Sequence, residues 1–140
     1  MHTSTVLQTC YPLVTKVMNI LVIDDNDEDR IMISSVLTDE GYSVTEACNG
    51  DIGIKEWDRC VFFDVVITEM IMAVKEGIET IQELRKRSSS TKIIAVSGKG
   101  PKGPELYLHL GKIFGADAAV HFLNIGVSCD FFRSRVFGVL

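Results

Sequence analysis

Ile20-Leu21-Val22-Ile23-Asp24-Asp25 is the stretch that decides the fold. Four apolar residues run straight into two adjacent carboxylates. A short all-apolar run reads as a strand buried on both faces, as in a parallel sheet covered by helices. Acids at the end of such a strand stand at the carboxyl edge of the sheet, where open α/β folds take ligands. Two neighbouring carboxylates repel each other unless a cation, a shared proton or a nearby base relieves them. A hard divalent cation with oxygen ligands, Mg2+, answers that need most simply. The plainer reading is a solvated acidic turn before a helix, and the pair alone does not choose between the two.

Working outward, the chain alternates between the two hydrophobic periods. Asn26 is placed to cap a helix whose first turn carries Asp27, Glu28 and Asp29, acids that the helix dipole favours there. Ile31, Met32, Val36 and Leu37 have helical spacing, and Gly41 ends the helix. Tyr42 to Ala47 reads as a second strand. Asn49 caps a second helix with Ile52, Ile54 and Trp57, which ends near Cys60. Phe63 to Glu69 is a third strand, apolar and then acidic. Gly77 precedes a third helix with Ile78, Ile81 and Leu84, closing in Arg85-Lys86-Arg87, charges suited to a helix carboxyl end. Lys92 to Ser97 is a fourth strand ending in a hydroxyl. Gly98 to Pro104 is too rich in Gly and Pro to be other than a loop. Leu106, Leu110, Ile113 and Phe114 make a fourth helix. Gly115-Ala116-Asp117 turns into a fifth strand, Ala118 to Phe122. Phe132, Val136, Val139 and Leu140 have the spacing of a short fifth helix, which Gly126 and Gly138 weaken.

This is strand and helix repeated five times. Right-handed crossovers then give a doubly wound α/β parallel sheet, the flavodoxin-like (βα)5 arrangement, with strand order 2-1-3-4-5. In that order the first and third strands are neighbours. Asp24, Asp25 and Glu69 are therefore expected to meet at one edge, with Ser97 beside them. That convergence favours the cation site over the bare acidic turn.

A chain of 140 residues, 46% hydrophobic, fits one domain with a proper core. Its net charge of -5 argues against nucleic acid as the main partner. Cys10, Cys48, Cys60 and Cys129 form no CxxC pair and have no His at zinc-site spacing, so reduced thiols in a cytoplasmic protein are expected, with Cys48 and Cys60 in or near the core. Residues 1–17 lack the pattern of a signal peptide, and no run reaches transmembrane length. They read as an extension ahead of a domain spanning 18–140, with 125–140 its atypical end.

At residues 18–124 the sequence resembles a response-regulator receiver domain (CheY-like) of two-component signal transduction. Ile20 to Asp25 resembles the family's first strand with its paired metal-binding acids. Asp64-Val65-Val66-Ile67-Thr68-Glu69-Met70-Ile71-Met72 resembles the segment around the phosphorylated aspartate. Glu76-Gly77 resembles the acid-glycine pair that follows it. Ile93 to Gly98 resembles the fourth strand with its switch hydroxyl, here Ser97, and Gly115-Ala116-Asp117 the turn before the fifth. The resemblance implies a phosphorelay module holding Mg2+ on Asp24, Asp25, the phosphoacceptor position and the backbone carbonyl of Ile71. It implies a sensor histidine kinase or downstream signalling protein as partner, and it allows a dimer through the face of the fourth helix, fifth strand and fifth helix.

The departures from the family pattern fall on the chemistry. The phosphoacceptor position holds Glu69 instead of Asp. The proline four residues on is Ala73. The family's lysine and proline after the fifth strand fall on Phe122 and Leu123, and the aromatic switch position on Ala119. An aspartate there is a nucleophile toward phosphorus, with a metal neutralising developing charge. One more methylene moves the carboxylate by about a bond, on the scale of the ~1 Å misplacements that cost roughly 100-fold in rate. Phe122 supplies no cation. Lys99 and Lys102 lie in the loop after the fourth strand, where solvated lysines are the plainer reading. Ser97 either donates toward the edge or is satisfied by nearby backbone. His109 and His121 have no partners at ligand spacing, and Trp57 is expected to pack on the core.

These departures favour a pseudo-receiver that acts through protein contacts and is not an enzyme; the alternative is a phosphorylatable stand-alone regulator. Little chain remains after the fifth strand for an effector domain, so output is expected through a partner. Two rivals are weaker. Asp25-Asn26-Asp27 resembles the acid pair of haloacid-dehalogenase-type phosphatases, but Glu28 follows where Thr or Val belongs and no later acid pair completes the site. A small-ligand module would use the same edge. An EF-hand fails because Arg30 stands where glycine is needed and Val36 where glutamate is. Lys99 belongs to no P-loop.

Overall fold

The computed structural model describes residues 16–59, 62–98 and 102–121. Nine elements alternate: β1 (Asn19–Ile23), α1 (Asp27–Asp39), β2 (Ser43–Ala47), α2 (Gly50–Arg59), β3 (Val65–Glu69), α3 (Gly77–Arg87), β4 (Lys92–Ser97), α4 (Pro104–Ile113) and β5 (Ala118–His121). All strand pairs are parallel, in the order β2-β1-β3-β4-β5. This is the flavodoxin-like topology expected from the sequence. The expected fifth helix, Phe122, Leu123, Lys99, Cys10, Cys60 and Cys129 lie outside the described residues.

The buried strands explain the core. Alternate residues of β1, β3 and β4 face opposite sides of the sheet. Leu21, Ile23, Val66, Ile93 and Ala95 join Ile54, Ile81 and Leu84 on one side. Ile20, Val22, Val65, Ile67, Ile94 and Val96 join Ile33, Val36 and Leu37 on the other. Continuous apolar runs are the sign of strands covered on both faces, and here they mark them correctly. Trp57 packs against the first cluster, its ring 5.8 Å from that of Phe63.

The caps follow the sequence. Asn26 Oδ1 accepts from the Asp29 amide at 2.9 Å, and Asn49 Oδ1 from the Ile52 amide at 2.9 Å. Gly41 sits at φ +93 after α1, a conformation that favours glycine.

Several expectations need correcting. α1 buries Ile33, Ser34, Val36 and Leu37, while Ile31 is 55% exposed. Helical spacing fixes the period of an apolar face but does not decide whether Ile31 or Ile33 belongs to it. In α4 the buried residues are Leu108 and Gly111, and Leu106, Ile113 and Phe114 are exposed. The sheet takes the glycine side because α4 approaches closely: a Cβ at Gly111 would lie 2.9 Å from Ala95 Cβ. Pro104 opens α4 as its first residue, where its missing N–H costs nothing, instead of closing the loop. Cys48 is exposed, because it follows the last residue of edge strand β2. Phe63 and Asp64 precede β3 although Phe63 is buried, and Tyr42 precedes β2.

Candidate functional site: the acid edge of the sheet

β1 delivers Asp24 and Asp25 to the carboxyl edge. The Asp24 amide donates to the Ala47 carbonyl at 3.1 Å, extending the β1–β2 ladder one residue. Its side chain is buried, with 2% of the residue exposed, and Oδ1 accepts from the Asn26 amide at 2.9 Å. Asp25 is half-buried, and its Oδ2 accepts from the Ala73 amide at 3.2 Å. That bond ties the β3–α3 loop to the end of β1.

Glu69 ends β3. Ile23 pairs with Thr68 and Val96 with Glu69, so Asp24 and Glu69 are successive to paired positions of neighbouring strands. Glu69 is also buried, 2% exposed. Its side chain folds back: Oε1 accepts from the Met70 amide at 3.0 Å and the Ile71 amide at 3.1 Å. Ser97 ends β4, fully buried, and pairs in register with His121 at the end of β5. Ala73 and Lys102 are exposed, and Ala119 is half-buried.

In the sequence Arg30 does no more than rule out an EF-hand; the structure makes it part of this edge. One turn into α1, its guanidinium donates through Nη1 to the Asp24 carbonyl (2.9 Å), through Nη2 to Asp27 Oδ1 (2.7 Å) and through Nε to Glu46 Oε1 (3.2 Å). Burial alone would lower its pKa; the hydrogen bonds and charges of Asp27 and then Glu46 outweigh that and hold it above the usual arginine value. The i,i+3 spacing of Asp27 and Arg30 is a signal available in the sequence. Lys75 is a second residue that sequence reasoning does not single out. It bridges Asp51 of α2, at 3.2 Å, and Glu83 of α3, which fixes the loop from its other side. The hydrogen bond to Glu83 raises the Lys75 pKa against the opposing effect of burial, with Asp51 adding to it.

The donors at the edge are carboxylate and carbonyl oxygens, the chemistry a hard divalent cation takes. Among the described residues, no three His, Cys, Asp or Glu side chains stand together as a metal-holding group. Asp24 and Asp25 fit Mg2+ in chemistry, and Glu69 Oε1 is engaged by its own backbone. Among the described residues no helix is long and apolar enough to cross a membrane.

Comparison with known proteins agrees with this architecture. Residues 20–107 match the family of the response regulator receiver domain. The chain is 30% identical over 87 residues to the chemotaxis protein CheY of Listeria monocytogenes, covering 61% of this chain and 72% of that protein. It is 33% identical over 98 residues to the transcriptional regulatory protein CpxR of Klebsiella pneumoniae, covering 70% of this chain and 40% of that one. It spans 36% of the length of the DltR transcriptional regulators of Streptococcus agalactiae, to which it is 29% identical over 82 residues. Among solved structures, CheY4 of Vibrio cholerae superposes with a TM-score of 0.75 at 26% identity, covering 89% of this chain and all of that one. TrrA of Thermotoga maritima, solved in complex with Mg(2+)-BeF, gives 0.70 at 27% identity, covering 89% of this chain and all of that one. The chain belongs to the response regulator receiver domain family, the CheY-like signalling modules of two-component systems.

Proposed function

We propose that this chain is a pseudo-receiver: a receiver-type signalling domain that works through protein contacts without carrying a phosphoryl group on residue 69. One observation carries the reading. The Glu69 carboxylate is buried and turned onto the Met70 and Ile71 amides, so its Oε1 lone pairs are committed to the backbone. In-line attack on phosphorus would then fall to Oε2, on a carboxylate that the Oε1 bonds and the extra methylene hold away from the position an aspartate would take. Phe122 at the lysine position, by resemblance, leaves no cation there for a transferred phosphoryl group. On this reading the domain is not an enzyme, and it acts in the cytoplasm.

Mg2+ belongs to the proposal as a weakly held ion. Asp24 and Asp25 would hold it, with Glu69 and the Ile71 carbonyl completing the set. When bound, it neutralises carboxylate charge at the edge. Output passes to a sensor histidine kinase or a downstream signalling protein. Exposed Leu106 and Ile113 of α4, with Phe114 capping its end beside β5, are an apolar surface on which such a partner, or a second copy, would pack.

The test is intact mass after incubation with Mg2+ and acetyl phosphate. The natural chain is run beside Glu69→Asp and Glu69→Asp with Phe122→Lys. An adduct confined to the repaired variants supports the proposal. An adduct on the natural chain that Glu69→Gln abolishes overturns it in favour of a phosphorylatable regulator.

A further inference from the structure

We propose that Arg30 is a built-in counter-cation of the acid edge: it sets the edge's low affinity for hard divalent cations. The inference rests on reading Asp24 and Asp25 as a weak Mg2+ site, and it adds a residue that the family resemblance does not assign.

Arg30 is placed for that role by three elements at once. Its own helix α1 brings it one turn past the acid pair, with the Arg30 amide bonded to the Asn26 carbonyl at 3.0 Å. The end of β1 supplies the Asp24 carbonyl, and β2 supplies Glu46. The side chain is 14% exposed, so the charge is fixed in place instead of sampling solvent. A guanidinium presents its donors in a rigid fork and stays charged at every working pH. Here each arm of the fork has an acceptor at a different point of the edge.

The physical consequence is direct. Asp24 and Asp25 follow β1, and Asp27 and Glu46 are held to the same guanidinium, so the edge carries several carboxylates that attract divalent ions by charge. A permanent positive charge bonded to the Asp24 carbonyl opposes that attraction. It also lets the edge stay folded with no metal bound, since the repulsion among the acids is relieved from within the chain. For a divalent ion several ångströms away, screened by a dielectric close to that of water, one unit charge is worth roughly threefold to tenfold in affinity. Arg30 is thus a positioning residue: it touches the Asp24 carbonyl and acts on the ion through charge.

Mg2+ is titrated into the full chain while amide resonances of residues 24–26 are followed, for the natural protein, Arg30→Gln, Arg30→Lys and Asp25→Asn. The expected result is that Arg30→Gln binds Mg2+ roughly threefold to tenfold more tightly. Arg30→Lys should stay within about twofold of the natural chain, because it keeps the charge. The gain should shrink as ionic strength rises, which a purely structural loss would not produce. If Arg30→Gln fails to fold, Arg30→Met keeps the packed apolar stem and loses only the charged head, and its affinity should rise by the same factor. A folded Arg30→Gln or Arg30→Met with unchanged or weaker affinity overturns the role of Arg30 while the site stands. Absence of any Mg2+ response in every variant, Asp25→Asn included, overturns the site and the role of Arg30 with it.

Discussion

The Arg85 guanidinium reaches from α3 to the turn before β5 and donates through Nη2 to Asp117 Oδ2 at 2.5 Å, and the same Oδ2 accepts the Ile93 amide at 2.8 Å. Its other donors meet the Gly115 carbonyl at 2.7 Å and the Thr91 carbonyl at 2.6 Å. One side chain therefore joins α3, the start of β4 and the entry to edge strand β5. Truncation leaves partly buried carbonyls and a carboxylate without their donor. Arg85→Ala is expected to lower stability by about 2 kcal/mol in urea unfolding. Arg85→Lys should recover less than half of that, because an ammonium cannot reproduce the fork. An Arg85→Ala chain as stable as the natural one would show the clamp to be ornamental.

Asp117 gives this clamp a pH signature. Burial alone would raise its pKa, but the Ile93 amide and then Arg85 outweigh burial and hold it below the usual carboxylate value. Folding therefore favours the charged form. The resulting stability is fully present above the unfolded value of about 3.9 and is lost as pH falls through the lower folded value. Asp117→Asn should be less stable than the natural chain by a constant margin from neutral pH down to about 5, and the margin should close below about 4. A margin that instead widens on acidification would mean that the carboxylate is not the stabilising species.

Two glycines separate backbone strain from crowding. Gly41 has φ +93, and a Cβ there would meet nothing within 4 Å, so Gly41→Ala pays only for the left-handed conformation, about 1 kcal/mol, and Gly41→Asn less. At Gly77 a Cβ would lie 2.5 Å from the Glu69 carbonyl oxygen and 2.7 Å from Met70 Cα, both backbone. Gly77→Ala should cost about 2 kcal/mol or more, and Gly77→Asn should be worse. Comparing the four unfolding midpoints checks this; an asparagine that rescues position 77 would refute the crowding account.

The fold was legible because its strands are short, apolar and followed by chemistry-bearing residues. Lys92 to Ser97 reads off directly, and the Asn26 and Asn49 caps mark their helices by residue type. What stayed hidden depends on phase and distance. Ile31 and Ile33 differ by a two-residue shift on one helix, and only contact with the sheet decides which is buried. Leu106, Leu110 and Ile113 form an apolar stripe that outcompetes Leu108 and Gly111 by eye, yet a glycine allows the closer approach. Of the site, the positions of Asp24, Asp25, Glu69 and Ser97 were legible from strand order. The fold-back of Glu69 was not, because it depends on the rotamer the longer side chain adopts over its own amides. Arg30 was hidden because its partners Asp24 and Glu46 belong to other elements.

Glu69 supplies the last prediction. In the natural chain Mg2+ should move the amide resonances of Asp24 and Asp25 only at millimolar concentrations or above, since Glu69 Oε1 joins the ion only by giving up two backbone hydrogen bonds of 3.0 and 3.1 Å. Net hydrogen-bond values of about 1 kcal/mol each put the penalty at roughly tenfold or more in affinity. Glu69→Asp, one methylene shorter, shifts the carboxylate by about a bond away from this two-amide arrangement, so it should bind Mg2+ more tightly by about that factor. Glu69→Gln removes the charge and should bind more weakly than either. Submillimolar binding by the natural chain, or equal affinity in Glu69→Asp, would mean that the backbone amides do not compete with the ion for this carboxylate.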